Sequence, residues 1–262
     1  MNDKVKFRLK YNPIDMKRID EICTYLLPTM GLVILLGVSC KKEEVSITPP
    51  IPPISVTDIE GNVYQTTKIG GQVWTTENLR VVKFNDGSPI PIVTDNTEWS
   101  KLTTPGYCWF KNDAAMYKGT YGALYNWHAV NTGKLCPAEW HVASDAEWTT
   151  LITYLGGEAV AGGKLKEFGT SHWVSPNSGA TNETKFTALP GAGHYYDGTW
   201  WDIGSFGNYW TSTGRKDGEV LPGGNVTDAN FAIDINLHTT DAGIYRDTFR
   251  KGSGFSVRCI KD

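Results

Sequence analysis

Three observations predict an α+β fold: a loop-rich single domain with two or three short helices and short antiparallel strands. One stretch places Trp148, Leu151, Ile152 and Leu155 at i, i+3, i+4 and i+7, a single apolar helix stripe. Elsewhere Phe231, Ile233, Ile235 and Leu237, and then Phe255, Val257 and Cys259, alternate with other residues as half-buried strands do. The 28 glycines are scattered without a period, which indicates many turns rather than a fibre.

In chain order, the first feature is an address. Residues 22–39 carry no charge and follow Lys17 and Arg18, the pattern of a secretory signal. The run is about long enough to span a bilayer, but Pro28 and the abrupt polar switch at Cys40 favour a signal over an anchor. Its end, "LLGVSC", resembles the lipobox of bacterial lipoproteins, which implies cleavage before Cys40 and lipidation of that cysteine. Several acyl chains at roughly 0.8 kcal/mol per buried methylene would hold the protein to a membrane. "CKKEE" resembles the export signal of Bacteroidetes-type surface lipoproteins, and the proline-rich stretch after it reads as an extended spacer. The expected organisation is a signal at 1–39, with Met16 as an alternative start, a lipidated linker at 40–57, and one domain at 58–262. The expected location is the outer membrane, facing the cell surface.

Within the domain, "NVYQTTKIGGQVWTTENL" reads as two strands joined by a tight turn at Gly70-Gly71. "FNDGSPIPI" is turn chemistry. Leu124, Trp127, His128 and Asn131 follow a three-and-four spacing, which predicts a short helix over 122–131 with Gly133 beyond it. Ser144 and Glu147 form a capping box, S-x-x-E, ahead of the helix at 145–155, which Gly156-Gly157 closes. Trp148 belongs to the buried stripe. Beyond Gly162-Gly163 regular structure is expected to thin into loops fixed by large side chains, until the alternating strands near the C-terminus.

Composition narrows the function. The formal net charge is −3; without residues 1–39 the chain keeps 19 basic and 24 acidic residues, net −5, which gives no reason to expect nucleic acid. Aromatics make up 12%, and all ten tryptophans lie between Trp74 and Trp210. Tyr195, Tyr196, Trp200, Trp201, Tyr209 and Trp210 crowd together beside Asp197, Asp202 and Asn208. Two readings fit this cluster. Rings and polar neighbours can hold a sugar, which makes Tyr195, Tyr196, Trp200, Trp201, Asp202, Tyr209 and Trp210 candidate ligand-binding residues. Alternatively, a loop-rich domain needs large side chains to bury its backbone. The five histidines show neither H-E-x-x-H nor a paired zinc spacing, so no metal or other cofactor is expected. No motif nominates a catalytic carboxylate pair; a glycosidase would need two carboxyls about 5–10 Å apart, and Asp197 with Asp202 is the pair the aromatic segment offers.

The stretches "GGQVWTTENLR", "YGALYNWHAVNTGKLCPAEWHVASDAEWTTLITYLGG", "AGGKLKE", "TALPGAG", "YWTST" and "GFSVRCIKD" resemble, in order, the Fibrobacter succinogenes major paralogous domain family. Ala138-Glu139 departs from the small residue and glycine usual there. The family has no agreed activity; the resemblance implies a secreted or lipid-anchored surface protein. More distantly, the order of elements is similar to C-type lectin-like and sulfatase-modifying-factor-like folds, in which a cysteine near the first helix joins one in the last strand. Cys136 and Cys259 occupy those places, while a Cys108–Cys136 pair is the alternative. A third reading makes Cys136 a nucleophile with His141 as its base, but no orienting residue or oxyanion signature accompanies them. The function expected is a non-catalytic binding or adhesion module, for polysaccharide or a surface protein; an extracellular enzyme acting on carbohydrate or protein is the alternative.

Overall fold

Strand propensity and turn chemistry set the first hairpin. The apolar and β-branched runs β1 (Ser55–Thr57), β2 (Val63–Ile69) and β3 (Gln72–Thr75) pair antiparallel in sequence, and Ile69 opposite Gln72 puts the turn at Gly70-Gly71 as the sequence predicts. The computed structural model describes residues 55–220 and 228–262. The expected signal, Cys40 and most of the expected linker lie outside the described residues.

A one-turn helix α1 (Asn96–Trp99) is capped by Asp95, whose side chain accepts from the Glu98 N–H. Then come β4 (Tyr107–Cys108) and α2 (Ala114–Tyr121). The helix predicted over 122–131 is divided: β5 (Leu124–Asn126) is a strand, and only α3 (Trp127–Val130) is helical. Asn126 causes the switch. Its backbone is extended and its Oδ1 accepts from the Ala129 N–H, so it caps the helix instead of joining it.

After β6 (Trp140–Val142), α4 (Asp145–Tyr154) begins with the full capping box of Ser144 and Glu147 and buries Trp148, Leu151 and Ile152. Glu139 just before β6 has φ +66°, which explains why glycine is usual there. A further helix that the sequence pattern does not predict, α5 (Glu158–Leu165), runs through Gly162-Gly163 and ends just beyond them. The two glycines are there for close approach: a Cβ on Gly162 would lie 1.8 Å from the Gly243 carbonyl oxygen, and one on Gly163 2.3 Å from that of Gly179.

The later part holds β7 (Gly193–His194), β8 (Trp200–Trp201), β9 (Phe206–Gly214), β10 (Phe231–His238), β11 (Tyr245–Arg250), β12 (Gly254–Phe255) and β13 (Cys259–Lys261). The described strands form three antiparallel sheets, ordered β1-β2-β3-β13-β6, β11-β10-β9 and β4-β5-β12-β7-β8. The fold is thus mixed, mostly antiparallel sheet with a few short helices. The last sequence segment closes two of the sheets, with β12 between β5 and β7 and β13 between β3 and β6. β10 is buried on both faces rather than one: Ile235 and Leu237 enter one core cluster, and Asp234 and Asn236 are buried on the other side.

Cys136 is disulfide-bonded to Cys259, joining the segment ahead of α4 to the last strand. The bond lies in a cluster with Tyr125, Trp127, Trp210, Phe255 and Val257. A second cluster packs the α4 stripe on Trp74, Phe186 and Tyr209, with Trp74 and Trp148 ring centres 4.9 Å apart. Fully burying each large apolar side chain contributes roughly 1.5–3 kcal/mol, so these aromatics stabilise a domain of short elements.

Candidate ligand-binding groove

The aromatic segment divides sharply when its rings are located. Tyr209 is buried, its hydroxyl donating to the Leu189 carbonyl at 3.0 Å and accepting from the Leu189 N–H at 2.9 Å. Trp210 is buried too, and its indole N–H donates to the Tyr125 carbonyl at 2.9 Å. Trp200 lies parallel to His194 with ring centres 3.8 Å apart. Trp201 packs with Tyr195, Phe249 and Phe255. Asp202 is out in solvent, 3.9 Å from Lys111. Of the candidate rings, only Tyr196 belongs to the exposed class, at 41%.

Tyr196 is held at the tip of the β7–β8 turn. Asp197 Oδ1 accepts from both the N–H and the hydroxyl of Thr199, at 2.9 and 2.7 Å, and these bonds lower its carboxyl below the ordinary range. Gly198, at φ +86°, seats the turn on α1, since a Cβ there would meet the Asn96 carbonyl oxygen at 2.6 Å.

Beside the ring lies a groove of about 210 Å³, built from the end of α1 (Ser100, Thr103), from His128 on α3, and from Asn230, Arg250 and Lys251. Arg250 faces Phe231 across the β10–β11 ladder. Its guanidinium carbon lies over two rings, 4.9 Å from the centre of Tyr196 and 5.2 Å from that of Phe231. Among the described residues nothing accepts a hydrogen bond from this guanidinium and no carboxylate pairs with it. Lys251 rests over the Trp127 ring at 4.3 Å. Burial, and then Lys251, lower the pKa of His128. No carboxylate lines the groove.

Sequence reasoning found Tyr196 but missed His128, Arg250 and Lys251. His128 was read only as one position of a helical spacing, and Arg250-Lys251 ends a strand with no apolar alternation to announce it. A second, larger hollow of about 470 Å³ lies between β2, the end of α4 and residues 183–185. Its exposed ring, Tyr154, has one face against Gly70, and its charges are mixed, with Glu183 bonded to Lys164 at 3.2 Å.

The Cys136–His141 dyad is excluded because Cys136 is in the disulfide and His141 contacts Asp262 and Glu147 instead. Among the described residues the free thiol is Cys108, buried with its sulfur 3.4 Å from His194 Nδ1. Burial pushes the thiol up and the imidazole down to about 4, so both are neutral near pH 7 and the thiol is a poor nucleophile. Among the described residues no three His, Cys, Asp or Glu side chains stand together as metal ligands, and no helix is long and apolar enough to cross a membrane.

No curated protein and no solved structure matches the chain. The Fibrobacter succinogenes major domain family matches residues 67–261, from within β2 to the last strand. That span takes in the buried frame and the groove alike, and the chain belongs to the Fibrobacter succinogenes major domain family.

Proposed function

We propose that the chain is an outer-membrane lipoprotein, anchored through Cys40 and facing the cell surface, whose head binds polysaccharide without transforming it. The observation that carries the reading is that Tyr196, alone among the candidate rings, is exposed and stands at a groove: a sugar face can stack on it while Ser100, Thr103, His128 and Asn230 meet hydroxyls. The groove is smaller than the roughly 300–1,000 Å³ pockets that enclose drug-sized ligands, which suits one sugar of a polymer lying across the surface. We read the head as C-type lectin-like or sulfatase-modifying-factor-like; the disulfide from the segment ahead of α4 to the final strand supports this. Binding rather than turnover is supported by Asp197 and Asp202, neither of which is buried as a general acid would be.

The test is a glycan array probed with the full chain purified in detergent. Binding to a set of polysaccharides that Tyr196→Ala abolishes supports the reading. Absence of binding, or turnover of any polysaccharide, contradicts it.

A further inference from the structure

Building on the glycan reading of the groove at Tyr196, we infer that the sugar taken there is anionic, one carrying a carboxylate or a sulfate. The chain is net acidic, yet two cations, Arg250 and Lys251, converge on this groove beside His128, whose imidazole burial disfavours charging, and no carboxylate lines it. A groove for a neutral sugar needs no such segregation of charge.

The state of Arg250 makes the case specific. Most other cations of the head are committed. Arg246 bonds Asp145 and Glu158, Arg215 bonds Glu219, Lys134 bonds Asp86, and Arg258 is bonded within the core. The Arg250 guanidinium, by contrast, has no acceptor among the described residues. Contact with the Tyr196 and Phe231 rings restrains it while leaving its N–H groups without an acceptor. A restrained planar fork matches the two oxygens of a carboxylate or sulfate, and holding it in advance lowers the ordering cost of binding. Lys251, seated on Trp127 at the same groove, adds a second positive charge, although its ammonium donates to the Ala229 carbonyl and has Asp217 and Asp228 nearby, so Arg250 is the freer of the two cations. Tyr196 thus serves both as the platform for the sugar ring and as one wall of the anion clamp.

The experiment is calorimetric titration of the full chain in detergent with two matched pairs of polymers: polygalacturonate against its methyl ester, and dextran sulfate against dextran. Members of a pair differ in charge while sharing a backbone. The inference expects one charged polymer to bind about tenfold or more tightly than its uncharged partner, with that margin shrinking as salt rises. Whichever pair shows the margin identifies the anion as carboxylate or sulfate. Arg250→Gln with Lys251→Gln should remove the margin, with the thermal midpoint confirming a folded chain. Arg250→Lys should recover only part of it, because the ammonium lacks the fork. Equal affinity within both pairs overturns the inference and leaves the glycan reading standing. A margin that survives the double substitution overturns it as well, by placing the anion elsewhere. Binding to none of the four overturns it too, and the array then shows whether neutral glycans still bind.

Discussion

Arg258 lies with its guanidinium carbon 4.6 Å from the centre of the Phe186 ring, and neither side chain reaches solvent. The guanidinium donates to Asn78 Oδ1 at 2.7 Å and to the carbonyls of Thr75, Phe186 and Thr187 at 2.9, 2.8 and 2.9 Å. One residue thereby ties together three separated stretches, "TTENL", "KFTALPG" and "SVRC". Among the described residues its charge has no salt-bridge partner; carbonyl and amide dipoles and the faces of Phe186 and Tyr209 hold it, with Glu77 adding a more distant attraction. Arg258→Met should destabilise by roughly 3–5 kcal/mol, since the carbonyls and Asn78 lose their donor, and Arg258→Lys should recover little of it. Urea midpoints of the variants check this; a loss under about 1 kcal/mol would contradict it.

The Cys136–Cys259 bond closes a loop with a sequence separation of 123. In the chain-entropy picture such a closure stabilises by about 4–5 kcal/mol. Replacing both cysteines with alanine should lower the unfolding free energy by an amount of that order. Reduction of the wild type should reproduce the loss, and Cys108 should stay inaccessible to thiol reagents until the chain unfolds.

His141 sits between two carboxylates, 2.8 Å from Glu147 and 2.6 Å from Asp262. Burial opposes its protonation, but the bonds to Asp262 and Glu147 outweigh this and raise its pKa above the ordinary 6.5. The stability it contributes is therefore fully present below pH 6.5 and lost as pH rises through the elevated native value. Thermal midpoints of the wild type should decline across that window, and His141→Gln should flatten the decline. An unchanged slope would show that the imidazole does not titrate as described.

Asp234 is fully buried on β10 with no hydrogen-bond partner for either oxygen among the described residues. Burial, and then Asp247 opposite it in the ladder, push its carboxyl well above the usual range. The native state favours the protonated form, so this contribution is intact below the ordinary carboxylate range and fades as pH rises through the native value. Asp234→Asn should stabilise the chain at pH 8 by roughly 1–3 kcal/mol and have little effect at pH 4. Equal effects at both pH values would contradict this.

What the sequence revealed follows from the range of each signal. The α4 helix, its capping box and the Gly70-Gly71 hairpin depend on neighbours a few residues apart, and each was legible. Asn126 was misread because one side chain chose capping over continuing a helix. The helix through Gly162-Gly163 went unread because the two backbone segments that require glycine there, at 179 and 243, come from elsewhere in the chain. The groove was half legible for the same reason: Tyr196 stood out by composition, whereas Arg250 and His128 reach it only through β11 and α3.

The central claim is that the aromatic residues form a frame and that ligand contact is confined to the groove at Tyr196. Hydroxyl-radical footprinting of the full chain, with and without a polysaccharide identified on the array, tests it most directly. Tyr196 should be oxidised in the free chain and protected when the polysaccharide binds, with Tyr209 and Trp210 unreactive in both states. Protection of Tyr154 with Tyr196 unchanged, or ready oxidation of Tyr209 and Trp210 in the folded chain, would contradict the account.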